Sequence, residues 1–178
     1  MSTEWLAKYK EVKPEEFETN PFCIYHSQWA LVTAGDETKC NTMTISWGGF
    51  GTYMSKPMGT VYVRQTRYTK EFMDKFDYFT ICNFPQEFKE DLKYLGTHSG
   101  RDEDKIKATK LKPIKVDQGM AFEQANAIFI CKKMFHGPIE VKNLEECENK
   151  KKYFDLEDCL GFHTMYMGEV EKILIKKD

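Results

Sequence analysis

No two of the six cysteines stand in a C-x-x-C spacing, which removes both the zinc ribbon and the thioredoxin-type dithiol. Cys23, Cys40, Cys82, Cys131, Cys147 and Cys159 read instead as reduced, mostly buried small residues of a cytosolic chain. Cys147, Cys159 and His163 lie close enough in sequence to suggest a metal site. The fourth ligand of a structural zinc is missing, however, so no metal is expected. No serine occupies a G-x-S-x-G elbow, and neither H-E-x-x-H nor G-x-x-x-x-G-K-[ST] occurs, so a hydrolase with a visible triad or metal and a P-loop nucleotidase are both excluded. The acidic triplet Asp102–Asp104 lacks the glycine and distal glutamate of a calcium loop, and has a structural reason as the first turn of a helix. Gly48-Gly49-Phe50-Gly51 invites a dinucleotide reading, but the third glycine of G-x-G-x-x-G would fall at Met54. Those glycines fit a bend or a close backbone approach at a strand end.

Charge of one sign is also lacking. Lys and Arg number 26 against 28 Asp and Glu, so a general nucleic-acid partner is not expected. The longest apolar runs, such as Ala127–Cys131, are far too short for a bilayer, and Met1–Lys10 holds no apolar core of signal-peptide length. With 41% hydrophobic and 30% charged residues in 178, the expectation is one soluble, cytoplasmic, globular domain over residues 1–178, without a membrane partner.

Alternation and turn residues predict strands over Trp29–Ala34, Thr42–Trp47, Gly59–Arg64, Asp77–Asn83, Met120–Phe122, Ala125–Phe135 and Thr164–Lys176, with a turn at Gly35–Lys39. A short helix follows Thr69 as N-cap, with Phe72, Met73 and Phe76 as its apolar stripe. A second carries Phe88, Leu92 and Leu95 and ends near Gly96, and a third is predicted from Asp102 to about Lys110. Gly137–Gly161 is polar and reads as an irregular surface excursion. This order lacks the regular βαβ alternation of a doubly wound sheet and fits a closed or partly closed antiparallel barrel with peripheral helices.

Three segments can carry binding chemistry. Arg64-Gln65-Thr66-Arg67-Tyr68-Thr69 leaves a strand and enters a helix, where guanidinium forks and free N–H groups suit an anion. Solvated surface charges are the bland alternative. Gly96-Thr97-His98-Ser99-Gly100-Arg101-Asp102 offers hydroxyls, glycines and an arginine to an anion or polar ring edge, but taken alone it reads better as an ordinary helix connection capped by Ser99 or Asp102. Thr42, Thr44 and Ser46 place three hydroxyls on one strand face, opposite Met43, Ile45 and Trp47. Hydroxyls there could meet a polar ring edge, and threonine on a half-exposed strand face is also common. Trp47 fits a core role better than a stacking one.

Taken in order, these segments resemble the flavin reductase-like family, and within it most closely the flavoredoxin-type FMN proteins. The resemblance lies in Trp29–Gly35, Asn41–Gly49, Val61–Thr69, Gly96–Lys105 and His163–Val170, and runs from about Asn20 to the C-terminus. It implies an FMN-binding split antiparallel β-barrel and a homodimer with FMN near the subunit interface. It also implies that Asn41, Thr42, Met43, Thr44, Ser46 and Trp47 border the flavin ring, and that Arg64, Arg67, Tyr68 and Thr69 hold the phosphate end. Ser99, Gly100, Arg101 and Lys105 would complete the pocket. No catalytic residue is singled out, because a bound flavin carries the hydride or electron chemistry itself. His163 could donate a proton, but as a lone histidine it reads better as structural. The expected function is that of an FMN-dependent oxidoreductase taking electrons from NADH or NADPH. The alternatives are a flavoredoxin-like carrier served by a small electron-transfer protein, a flavin-binding module without turnover, and a flavin-independent barrel binding another anion.

Overall fold

The computed structural model of the chain describes residues 4–146, 150, 153 and 163–177. Within them lie β1 (Tyr9–Val12), β2 (Ala30–Gly35), β3 (Cys40–Ile45), β4 (Gly48–Tyr53), β5 (Lys56–Arg64), α1 (Tyr68–Lys75), β6 (Tyr78–Asn83), α2 (Lys89–Thr97), β7 (Pro113–Val116), β8 (Gly119–Phe122), β9 (Ala127–Pro138) and β10 (His163–Lys176). No helix among the described residues is long and apolar enough to cross a membrane.

Seven strands pair in the order β3-β2-β6-β9-β10-β5-β4, and β1 adds to β10 as the eighth. Every pairing is antiparallel. β10 serves three partners, and its register against β9 shifts at Met167/Gly168 and at Val170/Lys172. Such bulges bend a long strand and increase its twist, which lets one strand serve both halves of a curved sheet.

The two ends of this sheet are β3 and β4, consecutive in the chain and separated only by Ser46 and Trp47. They pair with β2 and β5 respectively and not with each other. The ladder is therefore open at one seam, and the fold is a split antiparallel barrel. Gly48 begins β4 at that seam for a steric reason. A Cβ there would lie 2.3 Å from Tyr25 Cε1 and 2.5 Å from the Thr60 carbonyl oxygen, inside any tolerable contact, so only glycine lets the strand pass beneath Tyr25.

Both faces of the sheet are covered. Val32, Val61, Val63, Phe79, Ile81, Phe129 and Tyr166 fill the barrel interior. On the outer face, Leu31, Cys82, Ile128 and Ile130 meet Leu92 and Leu95 of α2 and the β7–β8 hairpin residues Ile114, Val116, Ala121 and Phe122. Every residue of β2 is buried for this reason, which explains why Ala30–Ala34 reads as a nearly unbroken apolar run. Full burial of a side chain such as Phe122 contributes about 1.5–3 kcal/mol.

Several expectations are corrected. No helix spans 102–110. That stretch runs as successive turns, with Lys107 N–H donating to the Asp104 carbonyl at 3.1 Å and Thr109 N–H to Ile106 at 3.0 Å. Its organising contact is the buried Lys105, whose ammonium donates to the carbonyls of Leu95 at 2.7 Å and His98 at 3.0 Å. The segment wraps the C-terminal end of α2 and satisfies its last carbonyls, a role that a helix axis pointing away could not perform. The N-cap of α1 is Arg67, not Thr69: the turn closed by Arg67 N–H on the Arg64 carbonyl, 3.0 Å, is complete by that residue, and helical geometry starts at Tyr68. β1, β4 and β7 were not expected as strands. Of the 137–161 excursion, β9 continues to Pro138 and Val141–Asn143 form a single 3-10 turn.

Candidate functional site

The exit from β5 and the entry to α1 bring the first cations together. Arg64 and Arg67 line a common cavity of about 270 Å³ with Met43, Thr44, Ser46 and Trp47 from the seam. Arg67 also lines an adjoining recess of about 90 Å³, which contains Asn41, Met43, Tyr68, Thr69, Ser99, Gly100 and Lys105. The sequence-derived residues other than Thr42 and Arg101 thus line these two joined spaces.

The electrostatics of the pair are one-sided. Burial, and then the charge of Arg64, push the Arg67 guanidinium below its ordinary pKa. Burial, and then the charge of Arg67, lower the Lys105 ammonium to about 8 against the opposing charge of Glu103. Among the described residues lining the two spaces there is no carboxylate. The Arg67 guanidinium has no hydrogen-bond or ion-pair partner among the described residues. No side chain caps the start of α1, so its first N–H groups and the positive end of its dipole remain available beside Arg67.

The surrounding scaffold is rigidly held. Asn41 Nδ2 donates to Thr69 Oγ1 at 2.8 Å, tying β3 to the first turn of α1. Gly100 passes so close that a Cβ there would lie 2.3 Å from Asn41 Oδ1, which gives this glycine a packing reason. Arg64 Nε donates to Nε2 of His163, 3.3 Å away across the β5–β10 ladder. Trp47 is half-buried with its ring 4.9 Å from both His163 and Tyr153.

The three-hydroxyl face of β3 is mostly turned to the fold. Thr42 donates to the Val32 carbonyl at 3.1 Å and accepts from Thr33 at 2.9 Å, and Thr44 donates to the Leu92 carbonyl of α2. Only the Ser46 hydroxyl of the three is on an exposed residue. Arg101 is also engaged: it donates to the Thr66 carbonyl at 3.0 Å and to Glu71 at 2.6 Å, and its guanidinium lies 4.9 Å from the Tyr68 ring centroid. It lines a neighbouring polar recess that shares Asn41, Tyr68, Gly100 and Lys105 with the small space and is edged by Glu37, Asp102, Glu103 and Asp104. Cys147 and Cys159 lie outside the described residues.

Past Trp47 the space opens into a third chamber of about 560 Å³, which shares Ser46, Trp47, Tyr62 and His163 with the arginine cavity. Tyr25, Tyr62 and Ile139 in this wall were not named as site residues from sequence, and Gly48 and Gly49 were read only as a bend or close backbone approach. For Tyr62 a signal existed, since it is two residues from Arg64 on one strand and so shares its face. Tyr25 had none, because it enters from the π-helical turn Cys23–Gln28.

The model of the family described as flavin reductase like domain matches residues 23–178. The chain belongs to the flavin reductase-like family. Solved structures of similar fold include an FMN-binding domain of flavin reductases-like enzyme from Shewanella baltica, with TM-score 0.67 and 15% identity over 94% of this chain and 77% of that one. Flavoredoxin of Desulfovibrio vulgaris has TM-score 0.65 and 20% identity over 93% of this chain and 78% of that one. The styrene monooxygenase flavin reductase from Pseudomonas putida has TM-score 0.57 and 13% identity over 82% of this chain and 77% of that one. No curated protein matches the chain. At these identities the solved structures establish the split barrel of the flavin reductase-like family, and the chemistry has to be argued from the side chains of the seam.

Proposed function

We propose that this flavin reductase-like chain binds FMN non-covalently along the seam and works as an FMN-dependent oxidoreductase of the flavin reductase type, with NADH or NADPH as donor. One observation carries the binding: Arg64, Arg67 and Lys105 converge on joined spaces that contain no carboxylate among the described residues. Arg64 and a half-buried Arg67 beside each other, with no carboxylate in those two spaces, are costly unless an anion joins them, and a phosphate dianion at an uncapped helix start is the matching group. The FMN-binding and flavin reductase relatives named above support the same choice of ligand.

The residues divide the work along the trough. Arg67 and Lys105 hold the phosphate, with the first N–H groups of α1 and the Ser99 hydroxyl beside them. Ser46 and the unpaired outer edge of β3 supply donors and acceptors to the polar rim of a flat ring. Trp47 and Tyr62 exclude water from the ring's apolar portion. His163, held by Arg64, stands where a proton can be kept close to that rim. Bound FMN would supply the hydride or electron chemistry. Asn41, Thr42, Thr44 and Gly100 act as positioning residues that fix β3 against α1 and α2.

The donor is decided by anaerobic mixing of the FMN-loaded chain with each nicotinamide. Bleaching of the flavin band by NADH or NADPH on the timescale of turnover is the expected result. An oxidised band that persists with both, together with rapid bleaching by a reduced ferredoxin-type carrier, would make the protein a flavoredoxin-like electron carrier instead.

A further inference from the structure

We infer that the cavity under the N-terminal strap is a binding site for an arylalkyl monoamine, a flat apolar ring carrying one ammonium group. The cavity measures about 360 Å³, within the usual range for small-molecule sites. It follows from how this end of the barrel is closed. Residues 13–21 lie across it beside the β4–β5 hairpin, with a single 3-10 turn at Pro14–Glu16. Between Pro14 and Pro21 the strap carries one large apolar side chain, Phe17. Its ring meets Phe129 edge-on at 5.1 Å, and the Phe50 ring lies 4.4 Å from the same phenylalanine. One inserted ring does not fill the opening, and Met58, Val170 and Ile173 line the space that is left. A planar apolar ligand gains burial and ring contacts there.

Charge sets the head group. Glu15 is the one ionisable side chain of the lining among the described residues, and among them it makes no hydrogen bond or ion pair. Thr19, Thr52 and Ser55 supply the hydroxyls. All four are exposed residues, whereas Phe129, Val170 and Ile173 are buried, so polar groups rim the cavity and apolar ones form its base. An ammonium at that rim is attracted by Glu15 and tolerated by the ring faces, and a carboxylate there would be repelled. The cavity stands apart from the proposed phosphate site and does not rest on the FMN reading. Met58 at the cavity and Arg64 at the cation cluster are about 20 Å apart along β5.

Thr52 gives a handle on the space, because it shares a face of β4 with Phe50 and stands at the rim. Calorimetric titration of the full chain with tryptamine should show one site. Indole-3-propionate, an anion of similar size, should bind at least about tenfold more weakly, since it loses an attraction and gains a repulsion. Glu15→Gln should weaken tryptamine by about threefold to fivefold, the size of an ion pair at a wetted rim, and should shrink its lead over the anion. Thr52→Trp should fill the cavity and weaken tryptamine by at least about tenfold, while FMN affinity stays within about twofold. Failure of tryptamine to bind, equal binding of the two probes, or undiminished binding to either variant would overturn the inference. A matching loss of FMN in Thr52→Trp would also overturn it, since the amine would then share the flavin trough. If Thr52→Trp does not fold, the exposed Glu15→Gln decides the matter alone. Failure of FMN to bind the unmodified chain would end the FMN proposal and leave the tryptamine comparison intact.

Discussion

Burial and the neighbouring Arg67 charge bring the Lys105 ammonium from an ordinary 10.5 to about 8, and this has two consequences of defined sign. Between about pH 8 and 10.5 the unfolded chain holds the Lys105 proton and the folded chain does not, so this group makes the fold more stable as pH rises through that window. For an anionic ligand the direction reverses. A phosphate dianion favours protonated Lys105, so above about pH 8 binding must take up a proton and affinity falls by up to about tenfold per pH unit. FMN dissociation constants measured from pH 6.5 to 9.5 should therefore be flat up to about 8 and rise beyond it. Lys105→Met should bind more weakly at pH 7 and lose the rise. A rise that survives in Lys105→Met would assign the titration to another group.

At the scale of elements, what could be read from sequence depended on how a strand is buried. β2, β3, β6, β9 and β10 were legible because alternation or continuous apolar runs mark strands with one or two covered faces. β4 was not, since Gly48–Tyr53 is glycine-rich and its last three residues are exposed. Its place in the sheet comes from the tight turn to β5, not from its own propensity. The false helix at 102–110 arose from acidic residues followed by lysines, a pattern that suits a helix but here has no apolar stripe to hold one down. The site was legible as a set of segments and not as a set of side chains: Arg67 and Lys105 face the same spaces, while Thr42, Thr44 and Arg101 have partners within the fold that only the packing of α2 and Glu71 reveals. The β4–β5 turn carries its own prediction. Met54 and Ser55 both adopt positive φ, 51° and 59°, as a two-residue hairpin loop of this twist requires, and neither is the residue that does so at low cost. Met54→Asn combined with Ser55→Gly should stabilise the protein by about 1 kcal/mol, read as a higher denaturant midpoint at unchanged slope. A lower midpoint would mean that the Met54 side chain has a packing role.

For the whole molecule, the open seam leaves β3 and β4 as sheet edges, and large apolar side chains stand exposed near β4, with Tyr53 at 50%, Met54 at 72% and Phe22 at 82%. Edges and apolar surface of this kind favour pairing with a second copy in a two-fold arrangement. Light scattering on the FMN-loaded chain should give twice the monomer mass. A monomer mass at full FMN occupancy would show that one chain completes the site. The central claim, that the cation cluster at the seam binds the phosphate of FMN, is tested most directly by titrating the chain and its Arg67→Ala variant with FMN and with riboflavin, which differ only in that phosphate. Loss of the charge-assisted contact should cost FMN roughly 1.5–3 kcal/mol, about tenfold to over a hundredfold in affinity, and leave riboflavin nearly unchanged. Equal weakening of both ligands, or no uptake of FMN by the unmodified chain, would contradict it.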